Sequence, residues 1–534
     1  MAEPVPVPRA IIWWETRWFA ILMMMLAAVP LAAPPIPPLT DLMGHMGRYR
    51  VQLDIGTSPW LGRWYSFRWA VIGNLGCDLL VQALGPVIGL EPAVKLVVLA
   101  IPPLTVAGLL GVAREVHGRV PATAIFALPL AYGYPFQFGF INFALAMAFA
   151  LIAFATWLRM ARTGWIRWRP AIFLVVGFLV WLAHSFAWGV LGILCLIAEM
   201  MRRRREGGSW FEAGWRAFLA VLPLAPPALL LLPWRRGETP SGTFDWFNLS
   251  FKWRWLYSVL RERVEPWDKA GAALLFAVGL SGLVRPHRRY EPALGVAAIL
   301  LALIFLCLPR VLLGSAYADM RLVPYMLAIA IVALRPLADR RVATALAAAA
   351  TLFFSARVAV TTAAFLRYER NYEAQLKALD HVPMGARVMA LATVPCRTVW
   401  YTTRMEHLSS MATVRRQSFV NDQWVAPGAQ LLRIRYRAAG RYFSHDPSEL
   451  LRRPDCRARN EPLLDVALAR FPRAAFDYLW MIDMPRAQWP VDPGLRPVWQ
   501  GMRFGILYRI VANQDGSAIA SNDTPNGSVI RVAR

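Results

Sequence analysis

The chain has 534 residues, 57% hydrophobic and 17% charged, with a mean hydropathy of +0.41, a balance that excludes an ordinary soluble globular protein. The formal net charge of +25 sits largely as Arg in short loops between apolar runs, where membrane orientation explains it, and with no recognition motif beside it nucleic acid is not an expected partner. No P-loop, G-x-G-x-x-G after a strand, H-E-x-x-H, G-x-S-x-G or C-x-x-C stands in a context that gives it meaning, which sets aside nucleotide-driven pumps, zincins and serine hydrolases.

Arg9 and Arg17 precede an apolar stretch from Trp18 to Ala33. It ends in Pro34, Pro35, Pro37 and Pro38, a poor context for signal cleavage, and reads as a retained first helix. Spanning helices are expected at 17 to 34, 92 to 113, 120 to 133, 138 to 158, 170 to 183, 186 to 200, 215 to 234, 268 to 285, 292 to 309, 321 to 336 and 343 to 364, about eleven in all. Lys and Arg in short loops mark the cytoplasmic side. Every second loop is basic: Arg114/Arg119, Arg159/Arg162/Arg167/Arg169, Arg202 to Arg205, Arg285/Arg288/Arg289 and Arg335/Arg340/Arg341. The turns at Tyr134 to Phe138 and around His184 carry no Lys or Arg. The alternation predicts a multi-pass protein of a bacterial inner membrane with a cytoplasmic N-terminus, and an odd number of crossings puts residues 365 to 534 in the periplasm.

Two segments strain this scheme. Residues 170 to 200 must cross twice with only about 13 residues per leg, so a short hairpin with His184 near its tip is expected. The stretch Trp69 to Leu90 is apolar but contains Asn74, Asp78 and Gln82, and is expected to lie at the periplasmic interface or to re-enter. The outer loops then run from about 35 to 91, rich in Trp and Arg, and from 235 to 267. In the second, Leu249, Trp253, Leu256, Leu260 and Val264 recur at helical spacing, which reads as an interfacial brace.

From Leu366 the composition becomes mixed. Tyr368 to Leu379 and Pro462 to Arg470 read as helices, while Ala386 to Ala392, Phe476 to Ile482 and Phe504 to Ile510 read as strands. The expected architecture is an all-α polytopic membrane domain, 1 to 364, followed by a small periplasmic α/β domain, 365 to 534, with a polar tail after Asn513. Cys77, Cys195 and Cys307 lie in or beside apolar segments as packing residues. Cys396 and Cys456 lie in the outer domain, where they can pair as a disulfide.

The strongest chemical signal is Asp41-Leu-Met-Gly-His45-Met-Gly-Arg48. On a helix this spacing sets a carboxylate, an imidazole and a guanidinium on one face. A carboxylate accepts the proton of an attacking hydroxyl, an imidazole orients or shares it, and Arg holds a phosphate. Two alternatives stand beside that one: Asp41 is also a good helix N-cap after prolines, and Asp-x-x-x-His is also half of a divalent-metal site. Asp319-Met-Arg321, before a spanning helix, is either a second piece of the site or a local ion pair. His184 is either a packing residue or a group facing a pathway, and Asn74, Asp78 and Asn142 suit supporting hydrogen bonds between helices.

These motifs together resemble the GT-C superfamily of integral-membrane glycosyltransferases. More narrowly, they are similar to bacterial membrane proteins with an Asp-x-x-x-His-x-x-Arg run in the first outer loop (here Asp41, His45, Arg48), an Asn-x-x-x-Asp (Asn74/Asp78), a Gly-x-x-Asn (Gly139/Asn142), a His at a hairpin tip and an Asp-x-Arg (Asp319/Arg321). The resemblance spans about residues 17 to 364. It implies a GT-C-like fold and transfer of a sugar, with inversion and without a nucleotide, from a polyprenyl-phosphate donor to a glycan or lipid acceptor at the outer leaflet. It further implies Asp41 as base beside His45, with Arg48, Arg321 and His184 holding the donor phosphate. The next acid in the loop is Asp54, so either carboxylate competes for the role of base. No resident cofactor or metal is expected. The basic outer domain fits an anionic acceptor or lipid headgroup. The competing classes are a secondary transporter or lipid flippase and a noncatalytic envelope-assembly scaffold.

Overall fold

The computed structural model describes residues 12–230, 242–284, 289–396, 398–401, 404–426, 428–443, 447–452, 456–457 and 462–511. Arg9, Arg285, Arg288, the end of the expected 215 to 234 helix and the polar tail lie outside the described residues.

The apolar runs form helices α1 Arg17–Ala32, α2 Leu42–Asp54, α3 Gly76–Ile88, α4 Leu90–His117, α5 Ile141–Arg162, α6 Arg169–Ala183, α7 Ser185–Arg205, α8 Trp210–Val221, α9 Leu249–Tyr257, α10 Glu265–Val284, α11 Pro292–Cys307, α12 Ala318–Val332 and α13 Arg340–Leu376. Among the described residues, six helical segments are long and apolar enough to cross a membrane: Leu90–His117, Ile141–Arg162, Trp165–Ala183, Ser185–Arg205, Glu265–Val284 and Arg340–His381. Three shorter apolar helices, α1, α3 and α11, accompany them. This is a multi-pass membrane protein, and the expected count of about eleven crossings is not what length and hydropathy alone return.

Two departures have local causes. The run expected to span at 120 to 133 is a 3-10 helix, Ala122–Tyr132, with Pro129 inside it and every residue buried. A proline at that position removes an α-helical hydrogen bond and clashes with the preceding turn, so the segment is a plug packed against α4, α12 and α13. The α6–α7 hairpin is longer than expected. Arg202 to Arg205 continue α7 as its last turn, where their charge complements the helix dipole, and a 3-10 turn at Trp165–Trp168 extends α6 at its start. His184 alone separates the two helices, with extended backbone.

Residues 69–75 have no helix and lie across this hairpin tip, where the Leu75 amide donates to Leu182 O and the Ser185 amide to Gly73 O. The helix that follows, α3, has 13 residues, short of the ~20 needed to cross as a helix. Of the residues expected to form the interfacial brace, α9 carries Leu249, Trp253 and Leu256, while Leu260 and Val264 lie beyond its end at Tyr257; Leu249 and Trp253 are exposed and Lys252 and Trp255 are buried. Lys252 Nζ is held inward, donating to Phe305 O, Leu308 O and the Asp319 carboxylate.

Apart from the short strands β1 Tyr65–Phe67, β2 Val311–Leu312, β3 Ser315–Ala316 and β6 Leu432–Ile434, a mixed sheet forms beyond the bundle from β4 Arg387–Thr393, β5 Phe419–Val420, β7 Glu449–Leu451, β8 Tyr478–Pro485, β9 Leu495–Gln500 and β10 Phe504–Ile510. Its order is β5-β4-β8-β10-β9, with β7 also on β4. β4 pairs parallel with β5, β7 and β8, and β10 is antiparallel to β8 and β9. Cys396 and Cys456 are joined by a disulfide, with Cα atoms 5.5 Å apart.

No linker separates sheet from bundle, because α13 runs unbroken through residue 364. The segment between α1 and α3 also enters the sheet domain. Its strand β1 Tyr65–Phe67 pairs antiparallel with β6 Leu432–Ile434, and Val51, Leu61, Trp64 and Tyr65 share a core with Met389, Phe419 and Leu479. A second core, from Leu42 and Met46 through Tyr372 to Met411 and Trp480, fuses the bundle to the sheet. Apolar burial at this seam fixes how the two parts face each other, and the candidate site lies there.

Candidate active site

Asp41 opens α2 with helical backbone angles and makes no side-chain capping hydrogen bond, so the N-cap alternative is not the one the fold uses. Its amide donates to Phe138 O. Gly139, at φ +105, lies so close that a Cβ there would stand 2.7 Å from the Asp41 nitrogen, which only glycine tolerates without strain. The Asp41 carboxylate faces His407 at 3.8 Å, Oδ1 to Nε2. It is also the charge that acts on Arg321.

His407 belongs to the sheet domain. Its Nδ1 lies 2.7 Å from Asp422 Oδ1, and Asp422 is held in turn by the hydroxyls of Ser409, Ser410 and Ser448 and the amide of Ser410. A carboxylate only accepts, so Nδ1 carries the proton. Asp422 follows β5 at the carboxyl end of a parallel strand, where loops of such sheets collect functional groups.

His45 is one turn along α2 from Asp41. Its ring meets Trp424 edge-on at 5.4 Å, and Trp424 also touches the His407 ring at 4.7 Å. Burial, with Arg48 and His407 nearby, holds the His45 imidazole well below its ordinary pKa, hence neutral at pH 7. Gly44 and Gly47, unfavourable in a helix by ~1 kcal/mol each, are explained by close approach. A Cβ on Gly44 would stand 2.1 Å from the Trp424 ring, and one on Gly47 would stand 2.2 Å from the Gln423 amide.

Arg48 turns away from this group. It forms an ion pair with Asp78, both side chains buried, and Asp78 also accepts from Asn142 Nδ2 at 2.9 Å. Asn142 completes the network by accepting from the Cys77 amide and donating to Asn74 O, and Asn74 Nδ2 donates to Ala429 O at 2.7 Å. Arg48, Asn74, Asp78 and Asn142 therefore clamp α2, α3 and α5, and the expectation that Arg48 grips phosphate meets a guanidinium already neutralised. Asp54 likewise pairs with Arg50 on its own helix. Asp319, in the first turn of α12, pairs with Lys252 of α9 at 3.3 Å, an ion pair between segments and not one within its own loop, so of the Asp-x-Arg motif only Arg321 faces the site.

Arg321 is buried and has no carboxylate within ion-pair distance among the described residues. Its guanidinium stacks over Phe140 at 4.2 Å, and Nη2 donates to Ala316 O. Nη1 stands 3.3 Å from His184 Nε2. His184 Nδ1 accepts from the Phe186 amide, which places the proton of a neutral imidazole on Nε2. Two N–H donors, one cationic, then address the same space, the arrangement an anionic oxygen satisfies. His184 with Arg321, and Asp41 with His407 and Asp422, thus form two groups running from the hairpin tip to the sheet, coupled through the charge of Asp41 on Arg321.

Two further acids lie nearby in the sheet domain. Burial raises the Glu406 carboxyl, and Asp483 is pushed up to about 6 by burial and by Glu406. A cavity of about 620 Å³ lined by Tyr372, Glu373, Lys377, Asp380 and Arg415 contains no residue of either group. Among the described residues no group of three or more His, Cys, Asp or Glu side chains is placed to hold a metal ion.

His407, Asp422 and Trp424 escaped the sequence reading, which took from residues 365 to 534 only their basic charge and a disulfide. The available signal was the polar run Asn421-Asp422-Gln423 directly after the short apolar pair Phe419-Val420.

No family model matches the sequence, and a search of curated proteins returns no match. Among solved structures the chain is similar to ArnT from Cupriavidus metallidurans bound to undecaprenyl phosphate, at 14% identity and a TM-score of 0.46 over 94% of this chain and 99% of that one. It is similar to the apo state of the same protein at 14% identity and a TM-score of 0.45, over 94% and 98%. At this identity and score the likeness assigns no residue and no activity.

Proposed function

We propose that the protein is an inverting membrane glycosyltransferase that moves a sugar from a polyprenyl-phosphate donor to a glycan or lipid acceptor at the periplasmic face of the inner membrane. The observation that carries this is the pairing of Arg321 with His184, 3.3 Å apart, within range of the Asp41 charge. The acceptor hydroxyl attacks the anomeric carbon as its proton passes to Asp41. The sugar–phosphate bond breaks on the opposite side, and Arg321 and His184 hold the charge that develops on the departing phosphate.

Charge neutralisation falls to these side chains, so no divalent metal is assigned and turnover persists in chelator. Location supports an enzyme over a carrier, since the candidate residues gather where the bundle meets the sheet, whereas a carrier's charges sit at mid-depth with access to both sides. The basic sheet domain beside the site suits an anionic acceptor.

The test does not require the acceptor to be known: purified protein in lipid vesicles is given a panel of polyprenyl-phosphate sugars with an envelope glycolipid extract as the source of acceptors, and released polyprenyl phosphate is measured by mass spectrometry. Release by wild type and its loss in Asp41→Asn are expected. If no donor is consumed, or Asp41→Asn releases lipid at the wild-type rate, the assignment is wrong.

A further inference from the structure

The sheet domain does more than brace the bundle. Asp422 is buried, and its four polar contacts lie between 2.7 and 3.1 Å, more than a surface carboxylate requires. That cradle holds the carboxylate aimed at His407 Nδ1, 2.7 Å away. With Nδ1 committed as donor, Nε2 is the basic nitrogen of the neutral ring, and it is the atom that faces Asp41 Oδ1. The arrangement follows the logic of an oriented base, in which a buried acid fixes the tautomer and stabilises the cation that forms.

We propose that His407, set by Asp422, is the proton acceptor behind Asp41, so that the sheet domain is an integral part of the active site. This rests on the glycosyltransferase function proposed above. As the acceptor oxygen bonds to the anomeric carbon, the sugar–phosphate bond breaks and its electron pair leaves with the phosphate. The acceptor's proton passes to Asp41 Oδ1 and from there to His407 Nε2. The imidazolium that results is balanced by Asp422, and Asp41 returns to its ionised form while sugar and acceptor are still bound. The 3.8 Å separation shortens to hydrogen-bond length when substrate closes the site, as catalytic contacts commonly do. His407 touches neither sugar nor phosphate and is a positioning and relay residue.

The groups facing His407 are Asp41 and His45 from the segment between α1 and α3, and Glu406 and Asp422 from the sheet domain. Burial holds His45 neutral and Glu406 toward its protonated form.

The experiment uses the full-length protein in vesicles, with lipid release from a polyprenyl-phosphate sugar as activity and binding of sugar-free polyprenyl phosphate measured separately. His407→Gln is expected to bind polyprenyl phosphate within twofold of wild type and to lose about 10²- to 10⁴-fold in kcat. The acidic limb of the pH–rate profile in the imidazole range should vanish with it. Asp422→Asn is expected to lower kcat and move that limb to lower pH, and Asp422→Glu to restore part of both. Should His407→Gln not fold, the shift in Asp422→Asn carries the same information.

A wild-type kcat and an unchanged profile in His407→Gln overturn the relay while leaving the glycosyltransferase in place. Equal losses of kcat and lipid binding overturn it too, since they indicate a structural role alone. A wild-type protein that consumes no donor removes both proposals, and that outcome is distinct because it appears before any variant is made.

Discussion

Arg48 and Asp78, thirty positions apart in the chain, form an ion pair whose side chains are only 4% and 0% exposed. Removing one partner from such a pair strands a buried charge and costs about 3–5 kcal/mol, whereas replacing both with apolar groups is often neutral. Asp78→Ala should therefore unfold at distinctly lower temperature in detergent, and Arg48→Met with Asp78→Leu should recover most of the loss. Equal melting of Asp78→Ala and wild type would show that the pair is not a clamp.

Arg321 and His184 make the opposite prediction, since they should govern ligand binding more than folding. A hydrogen bond to a charged group is worth about 1.5–3 kcal/mol, so Arg321→Gln should weaken polyprenyl phosphate binding roughly 10- to 150-fold. Arg321→Lys should fall between, because an ammonium keeps the charge and loses the planar fork. Native mass spectrometry with the sugar-free lipid measures both, and unaltered affinity in Arg321→Gln would move the phosphate site elsewhere.

Gly44→Ala tests two effects of opposite sign. Helix propensity alone favours Ala by about 1 kcal/mol, but its Cβ would stand 2.1 Å from the Trp424 ring, and overpacking of this kind costs about 1–3 kcal/mol. The packing term should win: the variant should lose stability and expose the seam between α2 and the sheet to protease. A gain in melting temperature would mean that Trp424 moves aside freely.

Asp483 sets a pH dependence. Its carboxyl is raised from 3.8 to about 6 in the fold, so the folded state binds the proton more tightly than the unfolded chain does. The stability this contributes is complete below about pH 4 and is lost as pH rises through about 6. Asp483→Asn, neutral at every pH and tolerant of the φ of 55° found there, should stabilise the protein by about 1–3 kcal/mol at pH 8 and not at pH 4. Thermal unfolding at the two pH values checks the sign.

Some of this was legible from local chemistry. The apolar runs, the helix carrying Asp41 and His45, the strands near 387, 478 and 504 and the isolated position of His184 all follow from periodicity and composition, because each depends on neighbours within a few residues. The glycines of α2 were also visible, but only as a weakness in the helix. Arg48 misled for a related reason: its spacing from Asp41 was right, yet its partner came from a helix that spacing along α2 says nothing about.

The sequence by itself determined a multi-pass chain, since hydropathy and charge act residue by residue along it. Only the tertiary structure decided which of the charged residues are spent on packing and which face the site. Ion pairing is settled by proximity in space, and so Arg48, Asp54 and Asp319 became structural while Arg321 did not. Tertiary structure alone also brought His407 and Asp422, more than 360 residues from Asp41 along the chain, to within reach of it. That convergence is enforced by apolar burial at the seam of bundle and sheet, a property of no single segment.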